Sequence, residues 1–234
     1  MLKALKGAIR YCLRSAGYDI CRADQRRLPF EDMRALCPRP RTIFDVGANR
    51  GQTIRSFRSA FPASWIHAFE PSPRIFPVLE DSWGNKNNIT LNNFALGSKT
   101  GCKAFFENDR DDMSSFFELG PKGWGHIESR KMIEVQTLDG YRRAHSIEKI
   151  DILKSDTQGF ELEVLRGGAE SMSNGSIGMI YLELNFAELY RGSPSADEIM
   201  RFLRENHYHP VAFYRFFFID GFVGWTDALY RYSK

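Results

Sequence analysis

The chain has 234 residues, of which 43% are hydrophobic and 14% aromatic, and its formal net charge is +3. That is enough apolar material for one sizeable core, which excludes a disordered or fibrous chain, and the charge is too weak to point to a nucleic-acid partner. Four scattered cysteines (Cys12, Cys21, Cys37 and Cys102) form no Cys-x-x-Cys pair and lie beside no histidine cluster, which argues against a zinc or disulfide scaffold and suits a reducing compartment.

No apolar run approaches the ~18 residues that cross a bilayer, and no uninterrupted apolar segment follows the N-terminal lysines as a signal peptide would require. A cytoplasmic protein is expected. Residues 1–22 place Leu2, Leu5, Ile9 and Leu13 at helical spacing beside Lys3, Lys6, Arg10 and Arg14, which predicts a basic amphipathic helix ending near Gly17. Its basic face could be solvated, or could rest on an anionic membrane as a peripheral contact. Residues 22–41 are arginine-rich and broken by prolines. We take 1–40 as this helix with its lead-in and 41–234 as one domain.

Thr42 opens the decisive stretch. Ile43, Phe44 and Val46 read as a buried strand, Gly47 and Gly51 bracket a tight turn, and Ile54, Phe57 and Phe61 continue at helical spacing. A second strand over 64–69 ends at Glu70-Pro71-Ser72-Pro73, where Ser72 is an expected N-cap. A third strand is expected at 88–91, then an antiparallel one at 102–106. Residues 108–125, rich in Asp, Ser and Gly, read as a mobile lid. Residues 132–138 alternate as a strand closed by Asp139-Gly140. A fourth central strand, 150–156, ends on Asp156, and a helix from Phe160 is capped at Gly167-Gly168. A fifth strand spans 177–184. Ser195 to Glu198 forms a capping box that opens a helix to about Glu205, and Asp220-Gly221 joins the two strands of a closing hairpin. This alternation predicts an α/β fold, a doubly wound, mostly parallel sheet with one antiparallel strand near its edge.

Ligands of such sheets bind beyond the carboxyl ends of the strands. Asp45, Glu70, Asp156 and Glu183 all fall there, and clustered carboxylates call for a cation or a donor-rich ligand. A dinucleotide site would carry Gly-x-Gly-x-x-Gly, but the turn here is Gly47-Ala48-Asn49-Arg50-Gly51, and no Tyr-x-x-x-Lys pair follows. An NAD-dependent oxidoreductase is therefore the weaker alternative. S-adenosylmethionine carries a sulfonium and an ammonium, which suit Asp45, and a ribose diol, which suits Glu70.

The motifs from Asp45 to Gly51, from Phe69 to Pro73, from Phe94 to Gly97 and from Leu153 to Glu161 together resemble the successive motifs of the FkbM family of S-adenosylmethionine-dependent methyltransferases. The resemblance runs from about Arg41 to the C-terminus and includes Thr137-Leu138-Asp139 and Asp227-Ala228-Leu229. It implies a Rossmann-like class I methyltransferase fold and O-methylation of a hydroxyl on a sugar, glycan or natural product. By motif, Asp45, Gly47, Ala48, Asn49 and Gly51, with Gln52 and Thr53, would hold the methionine end. Glu70, Pro71 and Ser72 would hold the ribose, Asn93, Phe94 and Ala95 the adenine, and Ser114 and Ser115 would lie near cofactor or acceptor. Lys154 and Asp156 match the family's Lys-x-Asp. The departure is Gln158, where members usually carry Glu.

An alcohol needs its proton removed as it attacks. Asp156 is the expected base, Glu183 the second choice and His126 a third. Asp156 and Glu183 could instead hold a divalent cation such as Mg2+. Lys154 could pair with a strand-end carboxylate. A methyltransferase-like binding module without turnover is the other alternative, and Gln158 is the feature that leans toward it. Neither the acceptor nor the oligomeric state can be read from these residues.

Overall fold

The computed structural model describes residues 27–234, together with Tyr11, Leu13 and Ser15, which are helical. The expected basic face and membrane contact of residues 1–22 otherwise lie outside the described residues.

Ten strands and seven helices follow from residue 29 onward. The strands are β1 (Thr42–Val46), β2 (Trp65–Phe69), β3 (Ile89–Asn92), β4 (Ala95–Leu96), β5 (Gly101–Asn108), β6 (Ile127–Gln136), β7 (Ile150–Ser155), β8 (Ile177–Asn185), β9 (Tyr208–Ile219) and β10 (Phe222–Tyr232). The helices are α1 (Pro29–Leu36), α2 (Gln52–Ala60), α3 (Phe76–Trp83), α4 (Leu138–Ala144), α5 (Glu161–Gly167), α6 (Ala169–Ser173) and α7 (Ala196–Glu205). Seven strands form one sheet in the order β3-β2-β1-β7-β8-β10-β9. The neighbours from β3 through β8 are parallel, while β10 runs antiparallel to both β8 and β9. The single reversed strand expected near the edge is β10.

Alternation within the strands builds both faces. In β1, Ile43 joins Met33, Ile54, Phe57 and Leu79 of α1, α2 and α3, whereas Phe44 joins Leu138, Tyr141, Leu162 and Leu203 on the opposite side. All of these side chains are buried. Each such burial contributes roughly 1.5–3 kcal/mol relative to exposure, so the two apolar faces fix the register.

Three local readings need correction. The lead-in contains α1, whose Met33 is fully buried and whose Phe30 ring lies 5.3 Å from Phe57. The antiparallel strand expected at 102–106 leaves the main sheet, and β4, β6 and β5 form a separate three-stranded sheet. Leu138 starts α4 rather than ending a strand, because the Thr137 hydroxyl accepts the Gly140 N–H as an N-cap.

The segment expected as a mobile lid is pinned. Phe106 and Ser115 exchange two backbone hydrogen bonds, Leu119 bridges to Tyr190, and Asp111–Met113 make a 3-10 turn. Ser195 does form the capping box with Glu198 at the start of α7. No described helix is long and apolar enough to cross a membrane.

Candidate active site

The strand order reverses between β1 and β7, where the connections leave in opposite directions and open a crevice at the carboxyl ends. One cleft occupies this point. Gly47, Ala48, Asn49, Gln52 and Thr53 line it from β1 and α2, Glu70, Pro71 and Ser72 from β2, Ala95 from β4, Ser114 from the pinned segment, and Lys154 and Asp156 from β7. Phe105, Phe116 and Phe160 supply an aromatic wall.

The turn is built by close approach. Gly47 has φ +77°, and a Cβ there would stand 1.9 Å from the Asp156 carbonyl oxygen, so only glycine fits. Its N–H and that of Ala48 both donate to the Phe69 carbonyl, which ties the turn to β2. Asn49 also takes positive φ, at +49°, as a short amide side chain tolerates.

Beneath the turn, cross-strand pairing of Asp45 with Lys154 sets an ion pair of 3.1 Å between two buried side chains. The contact lacks hydrogen-bond alignment at the carboxylate, and both Asp45 oxygens are otherwise unpartnered. Lys154 Nζ donates instead to the Gly47 carbonyl at 2.7 Å and lies 3.8 Å from Asp156 Oδ2. Burial alone would pull the Lys154 ammonium down, but Asp45, Asp156 and Asp227 outweigh it and hold it above its ordinary value. Burial raises Asp45, with Lys154 opposing. Asp45 and Lys154 thus brace the turn from behind.

Glu70 is buried, and its two oxygens accept the backbone N–H groups of Asn49 (2.9 Å) and Ser72 (2.8 Å). Burial pushes its carboxyl up to about 7 despite those donors. Such a carboxyl holds its proton more tightly folded than unfolded, so the stability it gives is present at low pH. That stability is lost as pH climbs from 4.5 through about 7. Over this range Glu70→Gln is expected to flatten the fall in stability of the ligand-free protein by on the order of 3 kcal/mol. Thermal unfolding at stepped pH checks this, and parallel curves for both proteins would refute it.

Ser72 caps the turn that leads into α3, as expected: its hydroxyl accepts from the N–H groups of Arg74 and Ile75, its carbonyl accepts the Phe76 N–H, and the hydroxyl also donates to Glu107 of β5 at 2.6 Å. Arg74 reaches Asp111 (3.1 Å) and Glu128 (2.9 Å), and Arg50 reaches Asp111 at 2.6 Å. These bonds close the small sheet over the cleft. The residues Arg50, Arg74, Glu107 and Asp111 had no signal in the sequence beyond their charge.

Several expected positions do not face the cleft. Gly51 packs its backbone against Trp83, where a Cβ would meet the indole at 2.3 Å. Asn93 donates to the Glu70 carbonyl (2.9 Å) and Phe94 meets Phe69 edge to face, so both support β2 from its side. Ser115 donates its hydroxyl to the Gln158 carbonyl at 2.6 Å. His126 is 73% exposed and pairs with Asp109 instead. Glu183 lies across from Asp227 and accepts from Asn185 (3.2 Å). Burial, reinforced by Asp156, Glu161 and Asp227, holds its carboxyl well above the usual range. Glu183 does not line the cleft, whereas Asp156 does. Among the described residues, no three His, Cys, Asp or Glu side chains converge closely enough to hold a metal ion.

The strand order and the crevice at its reversal define a Rossmann-like sheet with a nucleoside-sized site at the switch point. Counting only strands of the large sheet, the order is 3-2-1-4-5-7-6 with the seventh reversed, the class I methyltransferase arrangement. The family model described as Methyltransferase FkbM domain matches residues 45–210, and the chain belongs to this family of S-adenosylmethionine-dependent methyltransferases. It is similar to the 2-O-methyltransferase NoeI of Sinorhizobium fredii, at 27% identity over 161 residues, 64% of this chain and 65% of NoeI. It is also similar to Methyltransferase 1 of Beauveria bassiana, at 24% identity over 142 residues, 53% of this chain and 57% of that one. The chain therefore spans less than two thirds of either relative. Among solved structures it is similar to the 1,6-didemethyltoxoflavin-N1-methyltransferase of Burkholderia thailandensis, with a TM-score of 0.48, 13% identity, and 88% of this chain and 76% of that one covered.

Proposed function

We propose that the protein transfers a methyl group from S-adenosylmethionine to a hydroxyl of a sugar, glycan or other small hydroxylated acceptor. One observation carries the reading: the Asp156 side chain, 42% exposed, lines the same cleft as the Gly47 turn and Glu70. An accessible carboxylate beside a nucleoside-sized cleft is what proton removal from an alcohol requires.

The chain's residues fit the donor. Glu70 keeps one unused lone pair on each oxygen after accepting two N–H groups, which suits a ribose diol. The apolar wall of Phe105, Phe116 and Phe160 suits an adenine ring. The donor, when bound, supplies a methyl carbon already activated by its sulfonium. The chain's part is to align the acceptor and accept its proton, and alignment carries much of such a displacement. Lys154 keeps the turn and Asp156 in one rigid frame through Gly47. NoeI, whose name describes a 2-O-methyltransferase, supports the hydroxyl as the acceptor class.

Calorimetry with S-adenosylmethionine and S-adenosylhomocysteine tests the donor, and isotope-labelled methyl transfer to a panel of mono- and oligosaccharides tests the acceptor. Heat with both nucleosides and label on a sugar oxygen are expected. Heat with NADH alone would favour an oxidoreductase instead and overturn the reading.

A further inference from the structure

We propose that Gln158 is a positioning residue that orients the Asp156 carboxylate, and that Tyr190 in turn orients Gln158. This rests on the reading of Asp156 as the base.

Gln158 is one of six non-glycine residues at positive φ among the described residues, at +56°. That conformation costs roughly 1–2 kcal/mol for an ordinary side chain, and it persists only where the surroundings impose it. Here they do so from three sides. The Gln158 carbonyl accepts the Ser115 hydroxyl at 2.6 Å. The preceding Thr157 donates its N–H (2.7 Å) and its hydroxyl (3.0 Å) to one oxygen of the buried Glu161. The following Gly159 approaches Tyr190 and Ser193 so closely that a Cβ there would stand about 3 Å from each.

The strained backbone turns the side chain back onto the site. Gln158 Nε2 donates to Asp156 Oδ1 at 2.7 Å, and its Oε1 accepts the Tyr190 hydroxyl at 2.5 Å. The opposite amide orientation would set an oxygen against a carboxylate, so the network admits one arrangement. Tyr190 is fully buried, packs with Met113 and Leu189, and has no other acceptor as strong as that amide oxygen. Asp156 Oδ1 is thereby fixed, and Oδ2, 3.8 Å from Lys154, remains for the acceptor proton. The glutamine also matters chemically. A glutamate in its place could donate to Asp156 only while protonated, whereas the amide donates at every pH.

Two measurements test this, the first independent of any acceptor. In side-chain amide NMR, the Gln158 NH2 of the wild type is expected to exchange slowly. Tyr190→Phe should speed that exchange at least ~10-fold while S-adenosylhomocysteine affinity stays within ~2-fold. Unchanged exchange would overturn the role of Tyr190. The second uses the sugar that accepts label in the panel. Gln158→Leu should lower kcat about 10-fold with KM for the methyl donor nearly unchanged. Gln158→Glu should lose rate relative to wild type as pH rises through the titration of the new carboxyl, by about 10-fold once it is ionised. A Gln158→Glu profile parallel to wild type, or a loss confined to KM, would overturn the role of Gln158. If no sugar accepts label, the proposed function fails on its own evidence, and the NMR result still decides the Tyr190–Gln158 link.

Discussion

Asp156→Asn is expected to lower the methyl-transfer rate by ~10²–10⁴-fold while leaving S-adenosylhomocysteine binding within about 3-fold. The amide keeps the volume and can still accept from Gln158, so the hydrogen bond at Oδ1 survives and only the capacity to take a proton is lost. Lys154 retains its 2.7 Å bond to the Gly47 carbonyl, which preserves the turn beneath the donor. Rate measurements at saturating donor, beside calorimetry on the same preparations, separate the two effects. Equal rates for variant and wild type would remove Asp156 from the chemistry. Glu183→Gln is the informative comparison, since Glu183 does not line the cleft.

Gly47→Ala should abolish ligand binding and destabilise the whole domain. The new methyl would stand 1.9 Å from the Asp156 carbonyl oxygen and 2.9 Å from its carbon, both backbone atoms of the neighbouring strand end. Relief requires parting β1 from β7 just where Lys154 bridges them, and the left-handed φ of +77° adds its own strain. Together these cost about 3 kcal/mol or more, which corresponds to a melting temperature roughly 6–12 °C lower in a chain of this size. The control is Gly192→Ala. Its φ is +69° but nothing lies within 4 Å of the added Cβ, so only the conformational penalty applies. If both variants melt alike, the close approach at Gly47 carries no weight.

The large sheet was legible because its signals are local. Ile43-Phe44-Asp45-Val46 followed by Gly47 announces a buried strand and its turn, and Ser195 with Glu198 announces α7, in each case within a few residues. What escaped depends on partners far along the chain. Pro29–Leu36 reads as a polar lead-in until Met33 and Phe30 find Phe57. Ser72 reads as a helix cap, which it is, but its further bond to Glu107, 35 positions later, has no local signal. The strand-end carboxylates were visible as a group, yet no spacing rule separates Asp156, which lines the cleft, from Glu183, which lies opposite Asp227 outside its lining. Gln158 looked like a lost carboxylate when read alone. Tyr190, 32 residues on, gives its amide a direction.

The two-sheet construction has a mechanical consequence. The floor of the cleft belongs to a continuous ladder of main-chain hydrogen bonds, but its roof belongs to β4, β5 and β6, which share no ladder with that floor. Across the gap run a buried apolar cluster, in which Phe105, Phe116 and Val135 share a core with Phe69, Leu138 and Phe160, and side-chain links from Ser72 to Glu107, from Arg74 to Asn108, Asp111 and Glu128, and from Arg50 to Asp111. Several involve partly exposed charges, which salt screens. The roof is thus held by packing and side-chain bonds alone, and a change confined to it leaves every strand pairing of the floor intact.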